Sequence, residues 1–362
     1  MIKLFNTHMP KSVFDPLKET LYSGYLGQGQ KVKEFEKKLG NYFNNEKVLT
    51  LNSCTSALHL ALKLSDVKYG DEVISTPMTS QATNVSIVNM GAKIVWADID
   101  PHTGNICPDS ILQKITKKTS AIIIVDFGGY PCDLNEINDI GKKYGIKVIE
   151  DAAHSFGAEY DSKKIGNHSD FVCFSLQAIK HITTGDGGLL LCKNRDDYDR
   201  GKLLRWYGLD RSEGAKDIRI FSDIKECGYK FHMNDICATI GIEQLNYVEE
   251  ILKKHRNNAF YYDEEISSSN IKSLIYKNDR ISSYWLYILM VNNLNKFVLK
   301  MKEKKIMVSQ VHKRNDIYTA FRDFRCELPG VDEFSSKMIC IPVGWWITEE
   351  KREYIVKCIN LE

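Results

Sequence analysis

Two ionisable residues, Asp151 and Lys180, follow β-rich runs within the stretch 147–191. The apolar pair Val148-Ile149 leads into the paired acids Glu150 and Asp151, and the run 171–176 stands four residues ahead of Lys180. A glycine-dense turn, Gly185-Asp186-Gly187-Gly188, then opens the wholly apolar run 189–192. Buried strands that each deliver one ionisable side chain near a C-terminal end fit a parallel α/β sheet, where ligands collect beyond the strand C-termini. An acid and an amine converging there suit pyridoxal phosphate (PLP). The amine would hold the aldehyde covalently, and the carboxylate would keep the pyridine nitrogen protonated so that the ring accepts electrons. Taken alone, the pair reads more readily as a turn or helix-cap aspartate and a solvated lysine.

The surrounding chain supplies elements that could position them. Short strands are expected at Val48–Leu51, after the turn Gly70-Asp71, at 94–98 and at the β-branched run Thr119–Val125. Between them lie helical stretches: one with Val32, Phe35, Leu39 and Phe43 on a single face, one beginning at Asn52-Ser53-Cys54-Thr55-Ser56, one after Thr79-Ser80-Gln81, and a crossover helix ending near Tyr144. This alternation implies a mostly parallel sheet with helices on both faces. Small hydroxyl residues at the start of a helix either cap it or leave N–H groups for an anion. A charged loop up to Glu226 is long for a connector, which suggests a lid or interface role. From Gly228 a long apolar helix is expected to about Leu245. Beyond Asn246 come amphipathic helices with strands at 284–291 and Met338–Ile341, so residues 1–245 read as an arm plus a large domain and 246–362 as a smaller α+β domain.

Bulk properties exclude several classes. The 362 residues are 43% hydrophobic and 27% charged, which is ordinary for a globular protein of two domains. A net charge of +2 gives no reason to expect nucleic acid or a membrane surface. No run reaches the ~18 apolar residues of a membrane helix, and the opening MIKLFNTHMP lacks a signal-peptide core. Ten cysteines without a C-x-x-C pair are expected as free thiols in a reducing cytoplasm, with no metal site.

The same stretch resembles the DegT/DnrJ/EryC1/StrS family of PLP-dependent nucleotide-sugar aminotransferases. Its E-D-A-A-[HQ]-x-x-G motif stands here as Glu150-Asp151-Ala152-Ala153-His154-Ser155-Phe156-Gly157. Its F-S…K-x-[IL]-T-T-G-[ED]-G-G motif stands as Phe174-Ser175, then Lys180-His181-Ile182-Thr183-Thr184-Gly185-Asp186-Gly187-Gly188. The glycine-rich segment 23–30 is similar to the family's N-terminal arm, and the likeness extends over residues 23–342.

The resemblance implies PLP fold type I, the aspartate aminotransferase-like α/β architecture. In it Lys180 carries PLP, with pyridoxamine phosphate as the intermediate form, and moves a proton between C4′ of the cofactor and the sugar carbon. Asp151 pairs with the pyridine nitrogen. Ser53, Thr55 and Ser175, with the Cys54 amide, hold the phosphate, Cys54 replacing the usual glycine. Gln177 and His154 are further contacts. An aromatic often covers the ring where this chain has Ser80, leaving that role to a residue such as His154. Lys230 replaces an asparagine that reaches the partner subunit's cofactor phosphate, which implies a homodimer with active sites at the interface; a surface lysine is the equal alternative. Thr79, His312 and Arg314 are candidate substrate contacts. Asp126, where many relatives carry histidine, is expected to be structural.

The implied reaction moves an amino group from L-glutamate to a nucleotide-linked keto-deoxysugar, with C4 of a 4-keto-6-deoxyhexose preferred, for cell-surface polysaccharide or glycan synthesis in the cytoplasm. Amination at C3, a keto-inositol acceptor and a non-catalytic PLP-binding regulator are the alternatives. Relatives that dehydrate rather than transaminate carry histidine in place of Lys180.

Overall fold

The computed structural model describes residues 1–211, 220 and 223–361. Its strands in chain order are β1 (Val48–Leu51), β2 (Glu72–Ser75), β3 (Lys93–Trp96), β4 (Thr119–Val125), β5 (Lys147–Asp151), the short pair β6 (Glu159–Tyr160) and β7 (Lys163–Lys164), β8 (Phe171–Ser175) and β9 (Gly188–Cys192). Seven of these form one sheet in the order β1-β9-β8-β5-β4-β2-β3. Neighbours from β3 to β8 pair in parallel, whereas β9 runs antiparallel to both β8 and β1. The reversal is made by the Thr-Thr-Gly-Asp-Gly-Gly turn, in which Thr183 Oγ1 and the Thr184 N–H both donate to the Leu176 carbonyl.

Both faces of the sheet are covered, so the strands must be apolar throughout. Along β4, Ala121 and Ile123 join one apolar cluster while Ile122 and Ile124 join the other, the alternation a pleated strand imposes. Helix α2 (Gln30–Phe43), preceded by α1 (Phe14–Tyr22), contributes Val32, Phe35, Leu39 and Phe43 to the second cluster. Helices α3 (Cys54–Leu64) and α4 (Gln81–Asn89) close the first cluster with Leu58, Leu60 and Ile87. Helix α5 (Pro108–Lys114) and the crossover helix α6 (Leu134–Tyr144) return to the second through Ile111, Leu134 and Ile137.

The C-terminal part adds a three-stranded antiparallel sheet of β10 (Ile271–Ser273), β12 (Tyr287–Val291) and β13 (Met338–Ile341), with β11 (Arg280–Ile281) pairing instead with β6. A third apolar cluster, with Tyr262, Tyr287, Phe297 and Ile355, supports it. The first residues of the chain are stitched to this part: the Ile2 N–H donates to the Lys305 carbonyl at 2.7 Å, and the Met307 N–H to the Ile2 carbonyl at 2.9 Å.

Two elements differ from expectation. The strand expected over 284–291 begins only at Tyr287, because the preceding residues bond to the turn after β4. The Ser283 and Leu286 N–H groups donate to Gly129 and Gly128 carbonyls. The helix expected from Gly228 begins at Asp235, capped by the Asn234 side chain. Ahead of it, Phe231 donates to the Arg205 carbonyl and accepts from the Asn52 N–H, so the segment is held as a connector across the sheet edge. The charged loop read as a lid or interface lies largely outside the described residues. All ten cysteines are free thiols, and five of them (Cys132, Cys173, Cys192, Cys340 and Cys358) are buried. Among the described residues no helix is long and apolar enough to cross a membrane.

Candidate active site

A cavity of about 820 Å³ opens at the C-terminal ends of the central strands. Val125, Asp151 and Ser175, the last residues of β4, β5 and β8, all line it. So do Ser53, Cys54 and Thr55, at the N-terminus of α3. The sheet thus brings an acid, a lysine and a helix N-terminus to one chamber, with Lys180 on its wall.

Asp151 is buried and held on both oxygens. Thr83 Oγ1 donates to Oδ2 at 2.7 Å, and the Ala153 N–H donates to Oδ1 at 3.1 Å. Thr79 Oγ1 lies 2.8 Å from Thr83 Oγ1. The Thr83 proton is committed to the carboxylate, so Thr79 is the donor of that pair. Burial raises the Asp151 carboxyl above its ordinary range, opposed by the Thr83 and Ala153 bonds and by Lys180. Thr79, expected as a substrate contact, lines the cavity with its hydroxyl engaged in this chain. Thr83 was not anticipated; its spacing of four residues from Thr79 was the available signal.

Burial brings the Lys180 amine down from 10.5 to about 7, with Asp151 pulling the other way. Its Nζ lies 3.5 Å from the centre of the Trp285 ring. The Trp285 ring is stacked on His154 at 4.0 Å and on Phe5 at 5.2 Å, and His154 is stacked in turn on His312 at 5.3 Å. Burial and then the Lys180 charge hold His154 well below the ordinary histidine range, and burial with Lys180 holds His312 at about 4. Both imidazoles are therefore neutral near pH 7. The Gly128 N–H donates to His154 Nδ1, so the His154 proton sits on Nε2 and points to His312 Nε2, 3.3 Å away. That bond leaves the His312 proton on Nδ1.

Around the α3 N-terminus, the Ser53 hydroxyl caps the helix by accepting from the Ser56 N–H. Gly188 lets β9 approach this turn: a Cβ there would lie 2.3 Å from the Ser53 carbonyl carbon and 2.4 Å from the Cys54 nitrogen. The Cys54 thiol is pushed well above its usual range by burial and then by Asp151, so it stays protonated. Ser175 accepts from the Gln177 N–H and both line the cavity.

Two expected contacts stand apart. Arg314 does not line the cavity; its guanidinium is paired with Asp316 at 2.6 Å and with Asp332. Lys230 is exposed and likewise outside this chamber, with its backbone bridged to Trp206 and its carbonyl accepting from Asn52. Asp126 is fully buried, accepting from Ser155 Oγ and the Cys132 N–H, and does not line the cavity. Phe5 and Trp285 complete the wall; Trp285 falls in the polar-aromatic stretch 282–287, whereas Phe5 carried no local signal.

The chain matches the DegT/DnrJ/EryC1/StrS aminotransferase family over residues 8–360. It belongs to that family. Among its relatives is the UDP-4-amino-4,6-dideoxy-N-acetyl-β-L-altrosamine transaminase of Campylobacter jejuni, 35% identical over 79% of this chain and 76% of that protein. The crystal structure of AtS13 from Actinomadura melliaura superposes with a TM-score of 0.97 at 40% identity, covering 100% and 99% of the two chains. Spr1654 of Streptococcus pneumoniae, solved in its PLP form, superposes with a TM-score of 0.91 at 28% identity over 99% and 98%. The fold is that of PLP fold type I, and the protein is a PLP-dependent sugar aminotransferase. The residues present fit the cofactor. A buried acid and a low-pKa amine face one cavity, and a helix N-terminus with a glycine-cleared cradle stands ready for an anion.

Proposed function

We propose that this enzyme takes an amino group from L-glutamate and delivers it to C4 of a nucleotide-linked 4-keto-6-deoxyhexose. The reading rests on one observation above others: the Thr83-anchored carboxyl of Asp151 and the depressed amine of Lys180 line the same cavity wall. Bound there, PLP would supply an electron sink for the carbon losing or gaining a proton. Asp151 holds a proton at the pyridine nitrogen. Ser53, Thr55 and Ser175, with the Cys54 amide, bind the phosphate at the α3 N-terminus. Lys180, ionising near neutrality, is suited both to take up and to return the proton that moves between C4′ and the substrate carbon. Neutral His154 and His312 orient polar groups without adding charge beside the amine. Gln177 is an additional cofactor contact.

The acceptor assignment draws on the C. jejuni relative, whose name specifies a 4-amino-4,6-dideoxy sugar. We further infer a cytoplasmic homodimer in which the exposed Lys230 of each subunit serves the other's phosphate site. Incubating the PLP-loaded protein with L-glutamate and a panel of GDP-, UDP- and dTDP-linked 3-keto and 4-keto sugars, with amine formation scored by mass, tests the reaction. Amine on a 4-keto substrate is expected. Amine only on 3-keto sugars, or none while glutamate is consumed, would overturn the acceptor assignment.

A further inference from the structure

Trp285 stands in an unusual relation to the reactive lysine. Its Nε1–H donates to the carbonyl of Ile179 at 2.9 Å, the residue just before Lys180, while the Lys180 Nζ lies 3.5 Å from the centre of the same ring. One indole therefore holds the backbone just before Lys180 and faces the Lys180 amine. The ring itself has little freedom. It is 3% exposed, it stacks on His154 and Phe5, and its neighbours are tied down. Ser283 Oγ donates to the His154 carbonyl at 2.9 Å, and the Leu286 N–H donates to Gly128 at 3.0 Å.

We propose that Trp285 is a positioning residue whose indole face receives the Lys180 ammonium and holds the side chain in place whenever the amine is not covalently engaged. The negative face of an aromatic ring attracts a cation, and more strongly in a dehydrated pocket than at a surface. Burial disfavours the charged amine, and the indole face works against that cost together with Asp151. A long, flexible chain released into a cavity of this size would otherwise sample many rotamers, each requiring a search before the next proton transfer. The proposal rests on Lys180 being the group that carries the cofactor.

The test replaces the five tryptophans of the full chain with 5-fluorotryptophan, which withdraws electron density from the indole face with little change of shape. Acylation of Lys180 in the cofactor-free protein is then followed against pH by peptide mass spectrometry. The midpoint is expected to fall by roughly 0.3–0.5 pH unit, and the same label in Trp285→Phe protein is expected to produce no further shift. An unmoved midpoint in the fully labelled protein overturns the proposal, because a purely packing role is indifferent to ring electronics. Trp285→Leu is expected to lower kcat about tenfold with KM for the sugar within about twofold; wild-type kcat there also overturns it. Where that variant does not fold, the fluorinated protein carries the test. Borohydride reduction of the PLP-loaded enzyme with peptide mapping asks separately whether Lys180 bears the cofactor, so the two readings fail independently.

Discussion

The Thr83 hydroxyl donates a 2.7 Å hydrogen bond to Oδ2 of Asp151, and Thr79 stands behind it at 2.8 Å. This relay fixes the orientation of the buried Asp151 carboxyl at the cavity and opposes the upward push of burial on its pKa. Removing a donor to a buried charged acceptor costs about 1–3 kcal/mol. Thr83→Val is therefore expected to weaken PLP binding by roughly tenfold or more, with Thr83→Ser restoring most of it. A Thr83→Val protein that titrates with PLP as the wild type does would remove the relay from the account.

Lys180→Ala removes both the proposed covalent anchor and the proposed proton carrier. Transamination is expected to fall by at least about 10³-fold, while the variant still retains PLP non-covalently after dialysis, since the α3 cradle and Asp151 are untouched. Full turnover by this variant is the result that the assignment does not survive.

The pH dependence has a definite sign. With the amine brought down to about 7 by burial, the neutral, reactive form accumulates as pH rises through that value. Acylation of Lys180 in the cofactor-free chain should rise across pH 6–8 and then level. Of the groups facing it, His154 and His312 are both held below their ordinary values and so are neutral throughout that window, while Asp151 pulls the amine upward. Between about 7 and 10.5 the unfolded chain binds more protons at this lysine than the folded one. The linkage sign therefore requires cofactor-free stability to gain from this group as pH rises over that interval. Thermal unfolding of wild type and Lys180→Met at pH 7 and 9 checks it: the gap between them should narrow at the higher pH.

Gly188→Ala probes the proposed phosphate cradle. The added methyl would fall 2.3 Å from the Ser53 carbonyl carbon, so β9 or the α3 N-terminus must move. A tenfold or greater loss of affinity for PLP is expected, with a smaller effect on pyridoxal, which lacks the phosphate. Equal losses for both ligands would place the damage elsewhere.

Glu150 offers a prediction about stability alone. It is fully buried beside Asp126, and burial and then that neighbour raise its carboxyl well above the ordinary range. A raised carboxyl contributes most at low pH and loses its contribution as pH climbs through its folded value. Glu150→Gln, which keeps the shape without the charge, is expected to match wild type at pH 5 and to melt higher at pH 8. A melting temperature that falls equally at both values would rule out the charge as the cause.

Much of the fold could be read in the sequence because the sheet is covered on both faces. Strands such as Thr119–Val125 appear as continuous β-branched runs and Asp151 closes another, whereas Lys180, beyond the end of β8, is marked by the family motif around it. The reversed strand β9 carries no such mark, since it is as apolar as β8 beside it. What stayed hidden depends on distant segments meeting. Phe5 reaches Trp285 across nearly the whole chain, and nothing near either residue announces the other. Arg314 stands in a polar-aromatic stretch of the kind that clamps substrates, yet its guanidinium is paired off the cavity. Asp316, two residues on, was the local sign that its charge was already matched.

The stitching of Ile2 to Lys305 and Met307 makes one wall of the chamber depend on the first few residues remaining in register. Deuterium uptake at the Met307 amide, whose proton is donated to the Ile2 carbonyl, would count how often that edge peels away from the chamber. Such opening could then be timed without running the reaction at all.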